Sequence, residues 1–121
     1  MDINIITSSR YKIERKKIKD FLLKIIDDNQ VEFSSINIIF VGKRKMRDIV
    51  EKYKNEKNAL PILTFYYQEQ NIGEIFICYP QIILLAAERD KTIDYILNLL
   101  LNHAIDNLIK QKNIKQPTSN N

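Results

Sequence analysis

The only histidine of the chain lies in an apolar stretch, "LLLNHAIDNLIKQKN" (99–113), with Asn107 four residues after His103 and Asn113 ten residues after it. Residues four apart on a helix share one face, so side chains at 103 and 107 can meet a common ion. A third donor beyond the helix end can fold back onto them. Nitrogen donors at all three places would hold zinc and leave one position for water, which is a hydrolytic arrangement. Asparagine offers a neutral carbonyl oxygen instead, suited to hard ions and poor for zinc. The plainer reading makes His103 a structural residue on an apolar helix. Asp106 is then either the partner that orients its ring or a solvated acid. Glu74, Asp106 and Cys78 are the other side chains that could complete a site around His103.

A second chemistry is suggested by charge. "RYKIERKKIK" (10–19) has six basic residues against one acidic, and "GKRKMRDIVEKYKNEKN" (42–58) has seven against three. Such faces attract polyanions, RNA above all. Lys43, Arg44, Lys45, Arg47 and Lys54 are the candidate phosphate contacts, and Tyr53, Tyr66 or Tyr67 could stack on a base. The competing reading is a solvated helix face and packed tyrosines, in a chain whose Ile, Asn and Lys content points to an A+T-rich genome.

These residues need a scaffold. The chain has 121 residues, 45% of them hydrophobic and 28% charged, with net charge +4. That is one domain with a core of its own. Two glycines and three prolines are too few for a turn-rich sandwich or barrel. A lone cysteine excludes an internal disulfide and a cysteine-based zinc cluster. No apolar run reaches membrane-helix length, and the acidic start "MDINIITSSR" lacks the form of a signal peptide. A reducing cytoplasm fits.

Along the chain, "INII" (3–6) reads as a strand and "TSS" (7–9) as a helix cap. Ile18, Phe21, Leu22, Ile25 and Ile26 recur at helical spacing from Tyr11 to about Asp28. "SINIIFV" (35–41) is a buried strand. Met46, Ile49, Val50 and Tyr53 mark a second helix, and 55–61 is a loop. "ILTFYY" (62–67) and "EIFIC" (74–78) read as a hairpin. Pro80 opens a third helix. Thr92 caps a fourth, which runs to about Lys110. The order β-α-β-α-β-β-α-α predicts an α+β domain over residues 1–115, a small mixed four-stranded sheet packed with about four helices, and a flexible tail at 116–121.

Several segments together resemble the YbeY family of bacterial rRNA maturation factors. "YKNEKNALPILTF" (53–65) is similar to the family's Y-R-x-K-D-x-P-T-D-V-L-S-F segment, and "IGEIFIC" (72–78) to its L-G-D-I-x-I segment. "RDKTIDYILNLLLNHAIDNL" (89–108) resembles the helix that opens its H-G-x-x-H-L-x-G-Y-D-H zinc motif, and residues 35–53 fit its second strand and helix. The resemblance implies a single-domain α+β fold and a metal-dependent, single-strand-specific endoribonuclease of rRNA maturation, associated with the ribosome. It implies zinc as cofactor, with His103 as first ligand. The other two ligand positions fall on Asn107 and Asn113. The motif's first glycine falls on Ala104. Its later glycine, which stops the helix so that the third ligand can turn back, falls on Lys110. If the helix instead continues to Asn113, that residue lies about 15 Å along the axis from His103 and cannot share its ion. The arginine after the tyrosine is Lys54, which keeps the charge and loses the bidentate fork. The motif's threonine and aspartate are Leu60 and Pro61, and the aspartate after glycine is Glu74.

Three functions of different classes are therefore open. One is a metal-assisted endoribonuclease, with Lys54 on a phosphate and His103 as ligand or general base. The second is a non-catalytic RNA- or ribosome-binding factor with a degenerate metal site. The third is a protein-interaction domain whose basic faces only keep it soluble.

Overall fold

The computed structural model describes residues 1–54 and 60–115. Four strands and four helices alternate as expected: β1 (Asp2–Ile6), α1 (Arg15–Asp28), β2 (Ser35–Val41), α2 (Lys43–Lys54), β3 (Ile62–Tyr67), β4 (Ile72–Cys78), α3 (Tyr79–Glu88) and α4 (Ile93–Lys115). The sheet order is β1-β2-β4-β3. β1 and β4 run parallel to β2, and β3 is antiparallel to β4. The sheet is mixed and the fold is α+β.

The period-two pattern of the strands divides the core in two. Ile36, Ile38 and Phe40 of β2 and Ile75 and Ile77 of β4 face the larger core, which they share with α1, α3 and α4. Val41, Leu63 and Cys78 face the opposite way and pack under Met46, Ile49 and Val50 of α2. Three helices thus cover one side of the sheet and α2 alone covers part of the other.

Gly73 explains the tight seam between β4 and α4. A Cβ at that position would stand 2.7 Å from a methyl of Leu108, inside contact distance. The backbone needs the missing side chain for close approach rather than for an unusual φ.

The termini of two helices differ from the sequence reading. α1 starts at Arg15, not Tyr11, and Glu14 at its N-cap makes no side-chain capping bond. Ser8 instead closes a turn, its carbonyl accepting from the Tyr11 N–H at 3.3 Å. α4 begins as expected, with the Thr92 hydroxyl accepting from the Tyr95 N–H at 3.0 Å. It runs past Lys110 to Lys115. Gln111 secures that extension on one flank, donating to Thr64 Oγ1 at 3.0 Å and to the Thr64 carbonyl at 3.1 Å, and accepting from the Tyr66 N–H at 2.9 Å. On the other flank, Lys112 donates to the Glu32 carbonyl and lies 5.1 Å from the centre of the Phe33 ring. The expected loop at 55–61 lies outside the described residues except for its last two positions, and the tail at 116–121 lies wholly outside them.

Candidate functional site

A groove of about 280 Å³ opens where the end of α2 meets β3 and α4, lined by Lys54, Thr64, Asn107, Lys110 and Gln111 with Ile62 and Leu63. Local structure brings these side chains together for simple reasons. Lys54 ends α2 and projects from its last turn. Asn107, Lys110 and Gln111 follow one another at helical spacing on α4. Thr64 alternates away from its strand neighbours Leu63 and Phe65. The groove holds two ammonium groups and no carboxylate, with the amide of Asn107 as a polar donor and that of Gln111 bonded to β3. Chemically it is a site for an anion, and a phosphate fits that description.

His103 is exposed and opens onto a different hollow, of about 320 Å³, with Leu99, Leu100, Asn102 and Asp106. Lys54 and His103 therefore line separate depressions. Asp106 is exposed, and among the described residues no hydrogen bond joins it to His103. Asn113 is exposed on the continuing helix, about 15 Å along the axis from His103.

These positions bear on zinc directly. The three ligand places of the motif carry one imidazole and two amide side chains, and unbroken helix separates the first from the third. Among the described residues no three His, Cys, Asp or Glu side chains gather in a way that could hold an ion. Glu74 accepts from the Tyr67 hydroxyl at 2.9 Å on the other side of β3. Cys78 is fully buried under α2. Burial pushes its thiol up, although Lys43 and Arg47 pull the other way, whereas a metal ligand needs the thiolate. The residues present do not fit a three-histidine zinc site.

The basic residues expected to meet RNA are all on α2. Lys43, Arg44, Lys45, Arg47 and Lys54 are exposed. Among the described residues the two ion pairs lie elsewhere, Lys16–Asp20 at 2.9 Å and Lys17–Asp94 at 2.6 Å. The tyrosines divide. Tyr66 is buried, and its hydroxyl donates to Asn71 Oδ1 at 2.7 Å, so it is core and no stacking platform. Tyr53 and Tyr67 are exposed.

Sequence reasoning passed over Lys110 and Gln111 as contributors to the groove, although both follow Asn107 at helical spacing. It also passed over Phe65, Phe76 and Lys52, which line a second cleft with Tyr53 and Tyr67. The alternation of Phe65 and Tyr67 on one strand was the available signal.

The family model for endoribonuclease YbeY matches residues 3–109. The chain is 30% identical to the endoribonuclease YbeY of Thermodesulfovibrio yellowstonii, over 88% of this chain and 68% of that protein. It is 23% identical to the endoribonuclease YbeY of Dehalococcoides mccartyi strain 195, over 90% of this chain and 76% of that one. The solution structure of TM1509 from Thermotoga maritima superposes with a TM-score of 0.64 at 21% identity, covering 85% of this chain and 69% of that one, and has the same fold. A family match over nearly the whole described length, on a sheet and helix order that the residues themselves predict, leads to one conclusion: the chain belongs to the YbeY endoribonuclease family.

Proposed function

We propose that this protein serves in rRNA maturation by binding single-stranded RNA on the YbeY scaffold, with a degenerate metal site. Its binding groove is the one formed by Lys54, Asn107, Lys110 and Gln111. The observation that carries this reading is the unbroken course of α4 through Lys110, held by Gln111 and Lys112. A helix that does not stop cannot return a third ligand to His103. Lys110 stands where the family has its helix-stopping glycine and adds a positive charge to the groove. Lys54 and Lys110 would hold the phosphate, and the Asn107 amide would orient it. Zinc, where family members bind it, supplies an activated water; in this chain no step passes through it. The ribosome is the natural partner for such a factor, and the cytoplasm with its reduced thiols suits free Cys78.

The test uses untagged protein, because a histidine tag would supply the missing ligands. After zinc exposure and dialysis, elemental mass spectrometry is expected to find far less than one zinc per chain. Binding to a single-stranded rRNA fragment is expected to persist and to fall steeply with salt. Lys54→Gln should weaken it and lower the salt slope by about one. Stoichiometric zinc with chelator-sensitive cleavage would overturn the degenerate site. Asn107→His with Asn113→His should not restore tight zinc while α4 is continuous; adding Lys110→Gly and Gln111→Gly, to free the turn, should raise zinc affinity.

A further inference from the structure

We infer that the cleft between α2 and the β3–β4 hairpin is a stacking site for one base of a single-stranded RNA, distinct from the phosphate groove. The inference deepens the proposed function and rests on it. The two sites are separated by β3, which sends Thr64 to the groove and Phe65 and Tyr67 to the cleft.

The cleft has a volume of about 290 Å³, near the lower end of small-ligand sites. Its lining is aromatic. Phe65 and Phe76 meet edge to face, with ring centres 6.0 Å apart. Tyr53 meets Phe65 at 5.0 Å. Tyr53 nevertheless stays 59% exposed and Tyr67 44% exposed. Rings recruited to a core are buried, as Tyr66 is. Rings held in place by neighbours while their surfaces stay in water are what stacking on a flat ligand requires.

Charge selects the occupant. Within the cleft Lys45 and Lys52 are balanced by Asp48 and Glu74, so the interior suits an uncharged heterocycle. One Glu74 oxygen accepts from Tyr67, which leaves the other for an N–H donor on a base. Outside the cleft α2 carries Lys43, Arg44, Arg47 and Lys54 against Glu51, and none of these cations is ion-paired among the described residues. A neutral aromatic slot beside a cationic ridge matches a nucleotide: base inside, phosphates along Lys43, Arg44 and Arg47. A hydrophobic peptide would leave that ridge without a partner.

The experiment uses the full chain and short single-stranded RNAs carrying a fluorescent purine analogue at successive positions. Binding is expected to quench the analogue at one position at least, because stacking on an aromatic ring does so and the phosphate groove contains no such ring. Tyr53→Ser should weaken binding about tenfold with the salt slope unchanged, and Tyr53→Trp should preserve affinity. Lys45→Gln should lower the slope by about one. If wild type binds and Lys54→Gln weakens it while no analogue is quenched and Tyr53→Ser changes nothing, the stacking site is overturned and the groove stands. If wild type binds no RNA even at low salt, the proposed function fails, and the stacking site with it. Should Tyr53→Ser fail to fold by circular dichroism, the wild-type quenching alone decides.

Discussion

The hydroxyl of Tyr67 has its ionisation pushed up to about 12, by loss of water first, then by the bond to Glu74 and that residue's negative charge. The fold thus favours the neutral phenol over the unfolded chain's ordinary value of 10.0. The stability this contributes is complete below about pH 10 and lost as pH rises through about 12. An absorbance titration of tyrosinate should show a late-ionising tyrosine. Tyr67→Phe should remove that phase, and Glu74→Gln should bring it to lower pH; a titration unchanged in both variants would contradict the assignment. The neighbouring residues Tyr66 and Tyr67 differ in fate because strand side chains alternate. That much was legible in "ILTFYY". Which face would be roofed and which left open was not, because that depends on how far α2 reaches across the sheet.

Elements were most legible where residue type and period agreed. "SINIIFV" and "ILTFYY" became strands as read, since β-branched and aromatic runs suit a pleated, covered surface. The start of α1 was misplaced because Tyr11 and Ile13 sit at apolar spacing yet pack from outside the helix. The end of α4 was misplaced because Gln111 and Lys112 hold it through tertiary bonds that local sequence does not announce. Between elements, the seam of Gly73 and Leu108 permits a sharp measurement. Gly73→Ala should destabilise by about 1–3 kcal/mol through overpacking. Leu108→Ala should cost about 2–5 kcal/mol through the cavity it opens. The double variant should cost clearly less than the sum, because each change relieves the other. Additive losses in denaturant melts would mean that the two side chains do not compete for the same space.

The whole molecule is a sheet with unequal cover. The larger core gathers α1, α3 and α4, with Leu22, Ile36, Ile75, Ile105 and Leu108 fully buried. The smaller is built by α2 with a handful of residues around Met46 and Val50. Fewer buried contacts mean a cheaper local opening. Native-state hydrogen exchange should find the α2 amides opening at lower free energy than those of β2, β4 and α4. Equal protection throughout would show one cooperative unit instead. The helix proposed to carry the RNA contacts is then the one whose position a ligand can most readily adjust. No described helix is long and apolar enough to cross a membrane, and α2 presents six exposed cations.

Gln111 has an effect beyond extending a helix. β3 is the last strand of the sheet, and an outermost strand presents unpaired backbone groups to any passing chain. The Gln111 amide occupies two of them, the Thr64 carbonyl and the Tyr66 N–H, in the manner of a short added strand. The residue that keeps α4 from turning back therefore also blunts a site of intermolecular β-pairing. Gln111→Ala would leave that margin open to self-association.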